Sequence, residues 1–103
     1  MDIRERLSRV KGFLLDMDGT LYLGDQLLAG SLDFLRQVEA TGRSALFLTN
    51  NSSKSGAVYV DKLRRLGVRD PFLRVLTSGQ AAGRYALAQY PGKRAFVLGN
   101  PML

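Results

Sequence analysis

Phe13-Leu14-Leu15-Asp16-Met17-Asp18-Gly19-Thr20 decides how this chain is read: an apolar run ends on two carboxylates set two residues apart. The approach to it, Gly12 to Leu15, is uncharged and shows no polar alternation, the character of a short strand buried on both faces of a parallel sheet. Side chains i and i+2 of an extended segment point the same way, so Asp16 and Asp18 are expected to project together beyond the strand's carboxyl end. That is where open α/β sheets bind ligands. Neighbouring carboxylates repel, and a cation such as Mg2+ would relieve them while neutralising an incoming phosphate dianion. Gly19 lets the backbone turn away, and the Thr20 hydroxyl can bond the loop it opens. Asp and Gly also make ordinary surface turns, but a turn alone leaves the apolar strand leading into it unexplained.

A second constellation lies downstream. Arg43-Ser44-Ala45-Leu46-Phe47-Leu48-Thr49-Asn50-Asn51-Ser52-Ser53 is another apolar strand, and it runs into hydroxyls and amides. A helical pattern follows from about Ser55 to Leu66, so this polar cluster sits at a helix N-terminus, where free N–H groups and the macrodipole favour an anion. Plain capping by Ser52 or Ser53 accounts for the same residue types. Taken alone, the motif leaves capping and phosphate binding open, and its pairing with the first motif favours phosphate.

Asp16-Met17-Asp18-Gly19-Thr20-Leu21 resembles the Asp-x-Asp-Gly-Thr-Leu first motif of the haloacid dehalogenase (HAD) superfamily, and Thr49 resembles the Ser or Thr of its second. The Thr-Asn-Asn-Ser form, with Leu-Tyr after the first motif, is similar to the class IIA branch of p-nitrophenylphosphatase-like and phosphoglycolate phosphatases. The resemblance implies that Asp16 is the nucleophile that accepts the phosphoryl group and also a Mg2+ ligand. It implies that Asp18 is the general acid and then base, with its main-chain carbonyl on the metal. Thr49 and Asn50 would bind the phosphoryl group, with Met17 and Gly19 completing that set and Asn51 a further candidate on the substrate side. The division of labour has a physical basis, since attack needs an ionised carboxylate and donation a protonated one.

Outward from the two motifs, strand and helix patterns alternate. A short amphipathic helix is expected over about Asp2 to Arg9, with Ile3, Leu7 and Val10 on one side and Asp2 as cap. The first strand spans Gly12 to Asp16. A loop through Tyr22-Leu23-Gly24-Asp25-Gln26 follows, where the resemblance implies a mobile flap. A helix from Ser31 to Thr41, ended by Gly42, carries Leu32, Leu35 and Val38 at helical spacing. The strand Ser44 to Leu48 and the helix from Ser55, ended by Gly67, come next. Leu73 to Thr77 reads as a strand, Ser78 as the cap of a helix to Gln89, Pro91-Gly92 as a breaker, and Arg94 to Leu98 as a last strand. This alternation predicts a doubly wound, mainly parallel α/β sheet, which the resemblance makes a Rossmann-like HAD core. Asp25 and Asp33 read as a loop residue and a first-turn helix acid, not as ligands.

Composition narrows the function classes. At 103 residues, 46% of them hydrophobic, the chain suits one domain with a thin core. No apolar run exceeds four residues, against roughly 20 for a membrane helix, and the charged N-terminal residues do not resemble a secretory signal. Zero cysteines fit a reducing cytoplasm, and zero histidines exclude a Ser-His-Asp triad or a His-ligated metal within this chain. The net charge of +6 comes from dispersed Lys and Arg with no aromatic interleaving, a solvated surface and not a nucleic-acid footprint.

The HAD pattern also needs a lysine from a third motif and acids from a fourth, and neither is present. Lys93 precedes a strand, and Asp70 is the last acidic residue. Residues 1–103 are therefore expected to be the N-terminal portion of such a core, without cap or later motifs, covering roughly the first third to two-fifths of a family member. The first strand would then be an exposed sheet edge open to self-association, and Mg2+ binding and turnover would be weak. The expected function is Mg2+-dependent hydrolysis of a small phosphorylated metabolite. The alternatives are a non-catalytic phosphate-binding fragment, a subunit completed by another chain, or a phosphoryl-accepting receiver. A receiver carries its Asp on the third strand, where Leu73 to Ser78 has none, and no Walker-type Gly-x-x-x-x-Gly-Lys occurs.

Overall fold

The computed structural model describes residues 2–51 and 54–98. Ser52 and Ser53, candidates for capping, and the final residues from Gly99 lie outside them. Three parallel strands form the main sheet in the order β1 (Gly12–Leu15), β4 (Ser44–Thr49), β5 (Val75–Thr77). β2 (Tyr22–Leu23) and β3 (Gln26–Leu27) form a separate antiparallel pair. The helices are α1 (Ile3–Ser8), α2 (Ser31–Ala40), α3 (Gly56–Arg65) and α4 (Ser78–Gln89). The parallel α/β order read from the alternating pattern is present.

Because β1, α2, β4, α3 and β5 step across the sheet in one direction, right-handed crossovers carry α2 and α3 to the same face. The core confirms it: Leu35 and Val38 of α2, Tyr59 and Leu63 of α3, and Ala45 and Phe47 of β4 share one buried cluster. Phe13 on the edge strand meets Phe34 of α2 edge-on, with ring centroids 5.3 Å apart, a geometry the ring quadrupoles favour. Each fully buried side chain of this size contributes ~1.5–3 kcal/mol, so Phe47 and Leu63, both wholly inaccessible, anchor this layer.

The opposite face carries Leu14, which is register partner of Leu46 and 71% exposed. This corrects the expectation of a strand buried on both faces, since among the described residues nothing packs on that side of β1. The result is a flat body of 47 × 34 × 21 Å with a radius of gyration of 16.2 Å, above the roughly 13 Å of a compact domain this long.

Other boundaries move for local reasons. The stretch Tyr22 to Gln26, read as a loop, is a hairpin: Leu23 pairs with Gln26 across Gly24-Asp25, and Gly24 takes φ 60° at the first turn position, as in a type II′ turn. Ser55 occupies the N-cap of α3. Thr77, not Ser78, caps α4 through a reciprocal box in which its Oγ1 accepts from the Gln80 N–H at 3.0 Å and Gln80 Oε1 accepts from the Thr77 N–H at 3.0 Å. A 3-10 turn at Asp70–Phe72 delays β5 to Val75. Residues 94–98 form no strand, since they pair with neither open edge of the main sheet, and Phe96 is 94% exposed. Asp2 caps α1 as expected, yet Ile3 and Leu7 stay exposed. Among the described residues no helix is long and apolar enough to cross a membrane.

Candidate active site

Register does the first work of assembly. Leu15 of β1 pairs with Phe47 of β4, so the chain leaving β1 delivers Asp16 next to Leu48 and Thr49. Asp16, Thr49 and Asn50 line one cavity of about 290 Å3 with Leu14 and Leu48. This is the carboxyl edge of two adjacent parallel strands, where the fold places ligands. Asp16 also borders a second, mostly apolar cavity of about 290 Å3 that contains Thr20, Ser31 and Phe34.

The loop after β1 is drawn tight by its own backbone. Met17 is fully buried and pins the loop to the core, while its N–H donates to Asp16 Oδ1 at 2.9 Å. Its carbonyl accepts from the N–H groups of Thr20 at 3.1 Å and Leu21 at 2.9 Å. Gly19 adopts φ 76°, a region where a Cβ would be strained, and its N–H donates to the Tyr22 carbonyl at 2.8 Å. The backbone donors of Met17 and Gly19 are thus both engaged inside the loop. Asp18 forms an isolated parallel bridge with Tyr22; it does not line the cavity that Asp16 shares with Thr49 and Asn50.

Thr49 is buried at the end of β4, and its Oγ1 accepts from the Asn51 N–H at 3.1 Å, which starts the turn that carries Asn50. Ser78 holds that turn from the next strand, donating from Oγ to the Asn50 carbonyl at 3.2 Å. The sequence marked Ser78 only as a helix cap; the contact spans the crossover through α3 and left no local signal.

Tyr22 was read as part of a loop, yet it is only 1% exposed. Its hydroxyl is pushed up to about 12, first by burial and then by the negative fields of Asp18, Tyr59 and Asp16, which puts both aspartates within electrostatic reach of one ring. The Lys62 ammonium lies 4.0 Å from the centroid of that ring and 3.9 Å from Asp25 Oδ1. The neighbouring Tyr59 hydroxyl is buried with no hydrogen-bond partner among the described residues.

Asp16 and Asp18 offer hard carboxylate oxygens on exposed residues. Mg2+ takes that donor type and commonly uses one or two carboxylates, with waters and substrate phosphate filling its octahedron. Among the described residues no group of three or more His, Cys, Asp or Glu gathers to hold a metal, and the donor type of the pair fits Mg2+.

Residues 13–103 match the model of the family described as haloacid dehalogenase-like hydrolases. The chain is 39% identical over 105 residues to glycerol-3-phosphate phosphatase of Homo sapiens, covering 94% of this chain and 33% of that protein. A 4-nitrophenylphosphatase from Thermotoga maritima superposes with a TM-score of 0.87 at 44% identity, covering 93% of this chain and 37% of that one. A glycerol phosphate phosphatase from Mycobacterium tuberculosis, solved in complex with magnesium, gives a TM-score of 0.76 at 34% identity, covering 87% and 27%. The chain thus spans about a third of the length of the curated relatives it matches.

Proposed function

The chain belongs to the haloacid dehalogenase-like hydrolase family, and from that premise we propose that it carries the nucleophile-bearing portion of a Mg2+-dependent phosphatase acting on small phosphate monoesters. The convergence of Asp16, Thr49 and Asn50 on one cavity at the carboxyl edge of β1 and β4 carries this reading. Glycerol phosphate and sugar phosphates are the substrate class its relatives' names suggest, and a cytoplasmic site suits the cysteine-free composition.

In this mechanism Asp16 attacks phosphorus. The Met17 N–H on Oδ1 fixes the carboxylate rotamer, and the other oxygen forms the new O–P bond as the ester O–P bond breaks. Asp18, protonated, gives its proton to the departing alkoxide. It then takes a proton from the water that attacks the aspartyl-phosphate, which releases inorganic phosphate and restores Asp16. The Thr49 hydroxyl and Asn50 hold the phosphoryl oxygens. Asp16 and Asp18 would hold Mg2+, which supplies charge neutralisation for the phosphate.

No lysine lines this cavity among the described residues, so the negative charge of the transition state is met by few donors. We therefore read residues 1–103 as one portion of a HAD core, slow by itself. The test is p-nitrophenyl phosphate hydrolysis with and without Mg2+, beside Asp16→Asn. Magnesium-dependent turnover that vanishes in the variant supports Asp16 as nucleophile. Turnover unchanged by Asp16→Asn removes it from the chemistry.

A further inference from the structure

We infer that Lys62, on α3, is a positioning residue for Asp18, acting through the ring of Tyr22. The need for such a hold comes from the size of the hairpin. β2 and β3 have two residues each, and a two-stranded pair this short does not stand alone in water. Yet this hairpin begins at the residue that fastens the catalytic loop: Tyr22 bridges Asp18, and its carbonyl takes the Gly19 N–H at 2.8 Å. Whatever holds Tyr22 therefore holds the Asp18-Gly19 turn.

Tyr22 shares the buried cluster with Tyr59 and Leu63 of α3, and Lys62 adds two charged contacts to the hairpin. The ion pair to Asp25 is long at 3.9 Å, and the Asp25 side chain is 95% exposed, so water and salt screen it to little effect. The contact to Tyr22 is different. The ammonium stands 4.0 Å from the ring centroid, the Lys62 side chain is only 18% exposed, and Tyr22 is buried. A cation over the face of a desolvated ring is the strong form of this interaction. Lys62 sits in the last turn of α3, where the helix macrodipole favours a cation, and Leu63 beside it is fully buried, so the ammonium is carried on a rigid element. The geometry makes α3 the support and Lys62 the pin.

The inference rests on the phosphatase reading only for the role of Asp18, and its test is independent of turnover. Amide hydrogen exchange on the full chain compares Gly19, whose N–H depends on Tyr22, with Phe47, whose N–H donates to the Arg74 carbonyl at 3.1 Å in the main sheet. Lys62→Met keeps the stem and loses the charge; it should accelerate exchange at Gly19 about two- to thirtyfold, the span of cation–π strengths, and leave Phe47 unchanged. Lys62→Arg keeps a cation over the ring and should restore Gly19 protection, and Asp25→Asn should leave it intact. Unchanged Gly19 exchange in Lys62→Met, or equal acceleration at Gly19 and Phe47, overturns the inference. Turnover of p-nitrophenyl phosphate unchanged by Asp16→Asn would count against the phosphatase reading and not against this one, which is read at Gly19 alone.

Discussion

Thr49 and Thr77 are register partners at the carboxyl ends of adjacent parallel strands, yet their hydroxyls serve different elements. Thr77 Oγ1 accepts from the Gln80 N–H and caps α4, whereas Thr49 Oγ1 accepts from the Asn51 N–H and shapes the turn beside Asp16. One threonine holds the fold and the other borders the site. Thr77→Ala should cost about 1 kcal/mol, the worth of an N-cap, read as a lower urea midpoint with phosphate handling unchanged. Thr49→Ala should weaken binding of inorganic phosphate with a smaller loss of stability. Equal effects of both variants on phosphate binding would refute the division.

Gly56 marks where α3 comes against α4. A Cβ there would stand 2.7 Å from Gln80 Nε2, and Gln80 is the other half of the capping box. Gly56→Ala should therefore destabilise by about 1 kcal/mol through displacement of Gln80, although alanine is the better helix former. In a Gln80→Ala background the same change should become neutral or stabilising by up to about 1 kcal/mol, a sign reversal that a double-mutant cycle by thermal unfolding detects.

Tyr22 gives alkaline pH a defined effect. Its folded hydroxyl titrates at about 12, against 10.0 ordinarily, chiefly because burial disfavours the phenolate. The unfolded chain thus loses this proton first. The stabilisation is complete below pH 10 and is lost as pH rises from 10 to 12. Urea midpoints across that range should fall less steeply in Tyr22→Phe than in the parent. Identical slopes would place the Tyr22 hydroxyl in water.

β1 ends the main sheet on one side, and its Leu14 projects into solvent on the face that α2 and α3 leave open. Edge strands of this kind invite pairing with a second copy, and charge on the strand blocks it. Sedimentation velocity should show concentration-dependent association of the parent chain and its reduction in Leu14→Lys, with stability changed by no more than about 0.5 kcal/mol, as at other exposed positions. Association undiminished by the lysine would locate the contact elsewhere.

The parallel order, the two crossover helices and the convergence of Asp16 with Thr49 were readable because each rests on patterns several residues long, apolar runs of strand length and helical spacing in Ser31–Ala40 and Gly56–Arg65. The hairpin at Tyr22 escaped notice because strands of two residues are too short to show a period. Residues 94–98 misled for the opposite reason: their apolar pattern suits a strand, but pairing is a property of neighbours and not of the segment.

From the sequence alone came the family resemblance on which the proposed chemistry rests, for carboxylates two apart after an apolar run, followed by Gly-Thr-Leu, need no long-range contact to be recognised. Tertiary structure decided how that chemistry is held. The placing of Asp16 with Thr49 and Asn50, the ring of Tyr22 beneath Lys62, and the Ser78 hydroxyl on the Asn50 carbonyl are contacts across crossovers. Their distances follow from strand register and helix packing, which close only when the whole layer is assembled.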